Sequence, residues 1–144
     1  MNTTIDLINT PDWDKQDPAT AQDIQSLEAA FGPIPEDYKA LLLFSNGGSL
    51  YGKKTPFIAY AVTEVLALFR EKDLYKYIPQ SIIFGGDGGG TIYCFDMRAD
   101  QEQHVFFIRE EDAGYVPDAY NNVVFKGTTL TDTLQRIVNN EKLN

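Results

Sequence analysis

The stretch LEAAFGPIPEDYKALLLFSNGG, residues 27–48, contains the order of elements that decides the fold. Apolar residues lead into it at three- and four-residue spacing, and the phase breaks at Gly32-Pro33, where glycine and proline end a helix. The residues that set this spacing are Ala21, Ile24, Leu27 and Phe31. The pattern predicts an amphipathic helix, which Asp17 or Thr20 can cap.

A second helix is predicted directly after the break. Pro35 fits its first position, where the missing N–H costs nothing, and Glu36 and Asp37 place negative charge at the positive end of the helix dipole. Apolar residues follow up to Phe44. The sequence Asn46-Gly47-Gly48 then supplies residues that tolerate the left-handed conformation typical of a helix end.

The rest of the chain predicts strands between helices. Residues 55–61, 82–84, 91–95 and 104–109 are short β-branched or aromatic runs, and GGDGGG at 85–90 reads as a hairpin connection with positive φ. Thr63-Glu64 opens a short helix, and Thr129 with Asp132 forms a capping pair for a final one. We therefore expect an α+β fold, one domain over residues 1–144, whose mostly antiparallel sheet has helices packed at its face and ends.

These motifs together resemble the SUKH superfamily, which includes the fungal cell-wall-assembly regulator domain of Smi/Knr type and many bacterial immunity proteins. Beyond residues 27–48, the resemblance includes Tyr77-Ile78-Pro79, the run from Ile82 into the glycine-rich turn, Tyr93 to Asp96, and the closing helix. The last helix departs from the pattern, because it begins LTDTLQRIV where relatives often carry an aromatic-rich stretch. The resemblance implies a domain that binds a protein rather than one that catalyses a reaction.

Composition supports a folded domain outside the membrane. An apolar content of 43% is enough for a core, and no run approaches the roughly 18 apolar residues of a membrane span. The first residues are polar and acidic, unlike a secretory signal, and the lone Cys94 suits a reducing compartment. We expect a cytoplasmic protein.

The formal charge of −9 is concentrated in two segments. Residues 1–37 hold eight acids against Lys15, and residues 87–118 hold eight acids against Arg98 and Arg109. The remaining segments are neutral or mildly basic. Clustered acids disfavour nucleic acid as a partner and favour a basic protein, although a solvated surface that aids solubility explains the same charge.

No residue pattern indicates an enzyme or a metal site. The GGDGGG turn lacks the Lys-Ser/Thr and the following helix of a phosphate loop, so hairpin geometry explains it better. Cys94 and His104 lie in strand runs, where a buried thiol and a partly buried imidazole are common, and one Cys with one His is too few for zinc. The paired Glu110 and Glu111 are too common in acidic loops to indicate a glycosidase. We expect no catalytic residues, no cofactor and no metal.

The predicted binding residues are charged or aromatic and expected at the surface. They are Asp87 in the glycine-rich turn and Glu110, Glu111, Asp112 and Tyr115 in an acidic segment. This segment could equally be an exposed loop without a partner. Two further candidate surfaces are Tyr51 with Lys53 and Lys54, and Tyr75 with Lys76 and Tyr77.

Two functions remain open at this point. The resemblance implies an immunity protein that neutralises a cognate toxin by direct binding and occlusion of its active site, and we expect this toxin to be basic and to act on nucleic acid. The alternative is a regulatory or scaffolding module that binds an endogenous signalling or cell-wall-related protein. The sequence leaves the partner's identity and the oligomeric state undetermined.

Overall fold

A six-stranded sheet is the centre of the computed structural model, which describes residues 2–144. The strand order across the sheet follows the chain from β1 to β6, and every neighbouring pair is antiparallel. The predicted mostly antiparallel α+β fold is therefore confirmed. The strands are β1 (Gly48–Leu50), β2 (Phe57–Ala59), β3 (Ser81–Gly86), β4 (Thr91–Asp96), β5 (Val105–Arg109) and β6 (Phe125–Lys126).

Within the part of the chain that the structure describes, six helices accompany the sheet. The two helices predicted around the Gly32-Pro33 break are α2 and α3, and the final helix begins after Thr129, whose side chain accepts a hydrogen bond from the Asp132 N–H at 3.0 Å. Thr20 caps α2. The helices are α1 (Thr4–Ile8), α2 (Ala21–Phe31), α3 (Glu36–Phe44), α4 (Val62–Glu71), α5 (Glu110–Tyr115) and α6 (Leu130–Val138), with a 3-10 turn at Ala119–Asn121.

Both faces of the sheet are buried. Side chains of α1, α2, α3 and α6 pack on one face, against a set that includes Phe84, Tyr93 and Phe107. The other face carries Cys94 and Phe106 and is covered by the segment around Ile78, by α5 and by the 3-10 turn. Burial on both sides explains why β3, β4 and β5 read as continuous apolar runs, since alternation requires one solvated face.

The segment from Ser45 to Gly48 joins three parts of the chain. The buried Ser45 hydroxyl accepts hydrogen bonds from Trp13 Nε1 and the Gln16 N–H and donates one to the Gly47 carbonyl. Asn46 Oδ1 accepts from the Val62 N–H at 2.9 Å and so satisfies a donor in the first turn of α4. This short motif therefore fixes the N-terminal segment and α4 as well as the end of α3.

Two details of the predicted second helix are corrected. Pro35 is the residue before α3, with φ −57° and ψ 138°, rather than its first helical residue. The helix ends at the extended Ser45, and the positive φ angles of Gly47 and Gly48 serve close packing instead. A Cβ on Gly48 would lie 2.6 Å from the Trp13 ring, so the chain needs glycine there.

Other predicted elements differ in their bounds or in their type. The strand predicted over residues 55–61 is confined to Phe57–Ala59, and the helix expected from Thr63 begins at Val62. The predicted acidic loop at Glu110 is the short helix α5. Within residues 2–144, no helix is both long enough and apolar enough to cross a membrane.

Candidate functional site

The glycine-rich turn between β3 and β4 is held by Asp87. Its Oδ1 accepts hydrogen bonds from the N–H groups of Gly89 at 2.7 Å and Thr91 at 3.1 Å, and its Oδ2 accepts from Asn144 Nδ2 at 3.0 Å. Partial burial opposes ionisation of Asp87, but these donors outweigh burial and lower its pKa below the ordinary value of 3.8. Gly88 and Gly90 have φ of 77° and 108°, as predicted for this hairpin. The Asp87 carboxylate thus has a structural role in the turn.

Helix α5 lies beside this turn. The Glu110 N–H donates to the Gly90 carbonyl at 2.8 Å, which places the first turn of α5 against the glycines. Glu110 and Glu111 line a hollow of about 470 Å³ together with Arg109, whose guanidinium lies 3.8 Å from the Glu111 carboxylate. An exposed pair of this length contributes little stability. Because two carboxylates face a single guanidinium, this hollow keeps a net negative charge.

The half-buried Tyr60 lies close enough to Glu110 and Asp87 for their charges to affect its pKa. Burial raises the pKa of Tyr60 to about 12, and the negative charges of Glu110, Glu64 and Asp87 add to that shift. The structure therefore brings Asp87 and Glu110 together at one end of the sheet, as parts of one acidic surface. The sequence alone could not predict this proximity, because the two residues are 23 positions apart in the chain.

Tyr115 belongs to a different surface. Its side chain is 82% exposed, and it lines a hollow of about 560 Å³ with Lys72 and Lys76. The predicted set of binding residues is therefore divided. Asp87, Glu110 and Glu111 lie near the turn, and the half-buried Asp112 follows them in the first turn of α5. Tyr115 lies at the far end of α5, at a hollow that Lys72, Asp73 and Lys76 also line.

The other two candidate surfaces have different outcomes. Tyr75 was expected at the surface but is only 3% exposed, and its hydroxyl accepts a hydrogen bond from the Ile83 N–H at 2.9 Å. That expectation is wrong, because Tyr75 anchors the covering segment to β3. Tyr51 is exposed as expected, and the backbone N–H of Lys54 donates to Asn140 Oδ1 at 2.8 Å.

Cys94 and His104 do not form a pair suited to nucleophilic catalysis. Cys94 is fully buried and lies opposite Phe106, and burial raises its pKa well above the ordinary value of 9.0, which favours the unreactive thiol. His104 is half-buried, and its Nε2 lies 3.2 Å from Glu102 Oε2. Among residues 2–144, no three His, Cys, Asp or Glu side chains are grouped so that they could hold a metal ion.

A hollow of greater volume lies elsewhere, between α1, α3 and α6. It has a volume of about 980 Å³, and its walls include Ile5 from α1, Ala40 from α3 and Gln135 from α6. These residues were absent from the predicted site because they are far apart in sequence and carry no motif. Three of the lining residues, Glu36, Asp37 and Asp132, were noted in the sequence, but each was explained there by its position at the start of a helix.

The structure is a small α+β domain whose surface carries hollows lined by acidic side chains. The model of the SMI1 / KNR4 family (SUKH-1) matches residues 18–125, which span α2 to the first residue of β6. The chain belongs to this family, as its motifs indicated. Comparison with curated proteins finds no match.

Proposed function

We propose that this chain is a non-catalytic, cytoplasmic protein-binding domain that acts as an immunity protein. Its partner would be a cognate toxin, basic and directed against nucleic acid, which it neutralises by covering the toxin's active site. The observation that carries this proposal is the match to the SMI1 / KNR4 family (SUKH-1) over residues 18–125. The superfamily that the chain resembles includes many bacterial immunity proteins.

The charge distribution supports a basic partner. The chain carries a net charge of −9, and the acids Glu110, Glu111 and Asp112 occupy successive positions in the first turn of α5, where Glu110 and Glu111 are exposed and Asp112 is half-buried. An enzyme that binds nucleic acid must carry clustered lysine and arginine. Opposite charges would accelerate encounter, with an association rate that falls as salt rises.

The mechanism requires no bond making. A preformed surface would bind the toxin where its substrate binds, so inhibition follows from occlusion and lasts as long as the complex. No cofactor enters this mechanism. The expected stoichiometry is one domain for each toxin active site.

Co-expression tests this proposal. The chain would be expressed with the toxin-like domain encoded beside its gene, with survival scored first and co-purification at low and high salt second. Rescue with a salt-sensitive complex is the expected result. Failure to rescue, with both proteins soluble, would contradict the proposal and favour a regulatory or scaffolding module that binds an endogenous protein. A thermal shift specific to one small ligand would instead point to an enzyme.

A further inference from the structure

The groove between α1, α3 and α6 is a preformed feature of the fold. Thr131 of α6 connects its walls, since the Thr131 hydroxyl lies 2.6 Å from that of Thr4, and the Thr131 N–H donates to Asp37 Oδ2 at 3.0 Å. Asn2 Nδ2 donates to Gln135 Oε1 at 2.9 Å and joins the N-terminal segment to α6. These bonds hold the three walls together, so a partner would meet a groove that is already formed.

The charges lining the groove have one sign. Glu36, Asp37 and Asp132 line it, and an adjoining hollow of about 360 Å³ shares Glu36 and Asp37 and adds Glu102. No lysine, arginine or histidine of residues 2–144 lines either part. Lys39 of α3 forms an ion pair with one of these acids. Its Nζ lies 3.7 Å from the Glu36 carboxylate and also 3.7 Å from the Glu28 carboxylate.

Two of these acids are largely exposed, whereas two serve the fold. The side chains of Glu36 and Glu102 are 89% and 78% exposed. Asp37 accepts two hydrogen bonds from Thr131, and Asp132 Oδ2 accepts one from the Thr128 hydroxyl. His104 Nε2 lies 3.2 Å from Glu102 Oε2, at the edge of the adjoining hollow.

The groove also has an apolar part. Ile5 is 38% exposed, and Ala40 and threonine side chains lie beside it. An acidic rim around an apolar floor matches a segment in which lysine or arginine alternates with aliphatic residues. The same acids repel phosphate and carboxylate ligands, so anionic small molecules and nucleic acid do not suit this groove.

We propose that this groove binds a basic segment of the partner protein, with its aliphatic side chains on Ile5 and Ala40 and its cations on Glu36 and Glu102. The identity of the partner rests on the proposed function. The chemistry of the groove does not, because it follows from the residues that line the groove. The family match ends at residue 125, before α6, and begins at residue 18, after α1. Two of the three walls therefore lie outside the matched region, where a surface specific to one partner is expected.

A peptide tests the groove without the toxin. A synthetic peptide of alternating lysine and leucine pairs would be titrated into the isotopically labelled chain at physiological salt, and amide chemical shifts would be followed by NMR. We expect the largest changes at residues 3–5, 36–40 and 129–135. Glu36→Gln with Glu102→Gln should weaken binding about 5-fold, the value expected from two exposed ion pairs.

The matched control removes the same number of charges from the opposite face of the sheet. Glu110→Gln with Glu111→Gln should leave peptide affinity within about 2-fold, because salt screens distant charges. Ile5→Lys places a cation in the groove and should weaken binding by about 10-fold or more. Thermal unfolding of each variant shows whether it is folded.

The outcomes separate the two proposals. Shifts centred on residues 87–91 or 110–115, no peptide binding, or equal losses in both double variants would overturn the groove proposal. The same variants are also tested in the co-expression experiment with the toxin, whatever the peptide result. Peptide binding in the groove without toxin rescue would refute the immunity role alone, whereas rescue that is insensitive to Ile5→Lys would refute the groove alone.

Discussion

The Ser45 hydroxyl offers a sharp test of how the 27–48 stretch organises the fold. Ser45→Ala removes one oxygen and keeps nearly the same volume. It deprives Trp13 Nε1 and the Gln16 N–H of their acceptor, at 3.2 and 2.9 Å, and the Gly47 carbonyl of its donor. Ser45 is fully buried, so water cannot readily replace it.

The expected loss in the free energy of unfolding depends on how deeply each group that loses its hydrogen-bond partner is buried. The Trp13 N–H and the Gly47 carbonyl are buried, and each unsatisfied group costs about 1–2 kcal/mol. The N–H of the exposed Gln16 can bind water and adds about 0.5 kcal/mol or less. We therefore expect a loss of about 3 kcal/mol in the free energy of unfolding, a large share of the roughly 5–15 kcal/mol of a typical domain.

Urea unfolding measures this loss. With a slope of about 2 kcal/mol per molar urea, the midpoint should fall by about 1.5 M while the slope stays unchanged. Ser26→Ala is the matched control, because its hydroxyl makes a single bond, to the Gln22 carbonyl at 3.0 Å, on the outer side of α2. The control should change stability by about 0.5 kcal/mol or less. Equal midpoints for the two variants would refute the joining role of Ser45.

Three further predictions concern other residues. Tyr38→Phe should raise stability by about 1 kcal/mol in urea unfolding, because the Tyr38 hydroxyl is buried without a partner; a loss would show that the hydroxyl is satisfied. Asp87→Ala should cost about 1 kcal/mol at pH 7. Because the native pKa of Asp87 is lowered, this cost should shrink as pH falls through that value, below 3.8, and a pH-independent cost would contradict the role of its charge. Neutralising Glu110, Glu111 and Asp112 together should slow association with the toxin about 3- to 10-fold and leave dissociation unchanged; an unchanged association rate would exclude steering by α5.

The local elements were predictable from the sequence because their signals are local. The break at Gly32-Pro33 separates α2 from α3 at the predicted position, and the glycine-rich turn joins two antiparallel strands as expected. Spacing, breakers and caps act over a few residues, so one sequence is enough to recognise them. The same reasoning gave the antiparallel sheet between flanking helices.

Features that depend on long-range contacts could not be predicted in this way. Helix α1 has only five residues, too few for a helical period, and β6 has two. Tyr75 looked exposed beside Lys76 because its bond to the Ile83 N–H appears only when the chain folds over the sheet. The groove likewise combines Ile5 with residues more than a hundred positions away.

The most direct test of the central claim is the association rate of the chain with its cognate toxin at low and at high ionic strength. A partner drawn by opposite charge should associate about 10-fold or more faster at low salt, with a dissociation rate that hardly changes. A soluble toxin that does not bind, or that binds at a rate independent of salt, would contradict the account of an acidic domain that neutralises a basic toxin by direct binding.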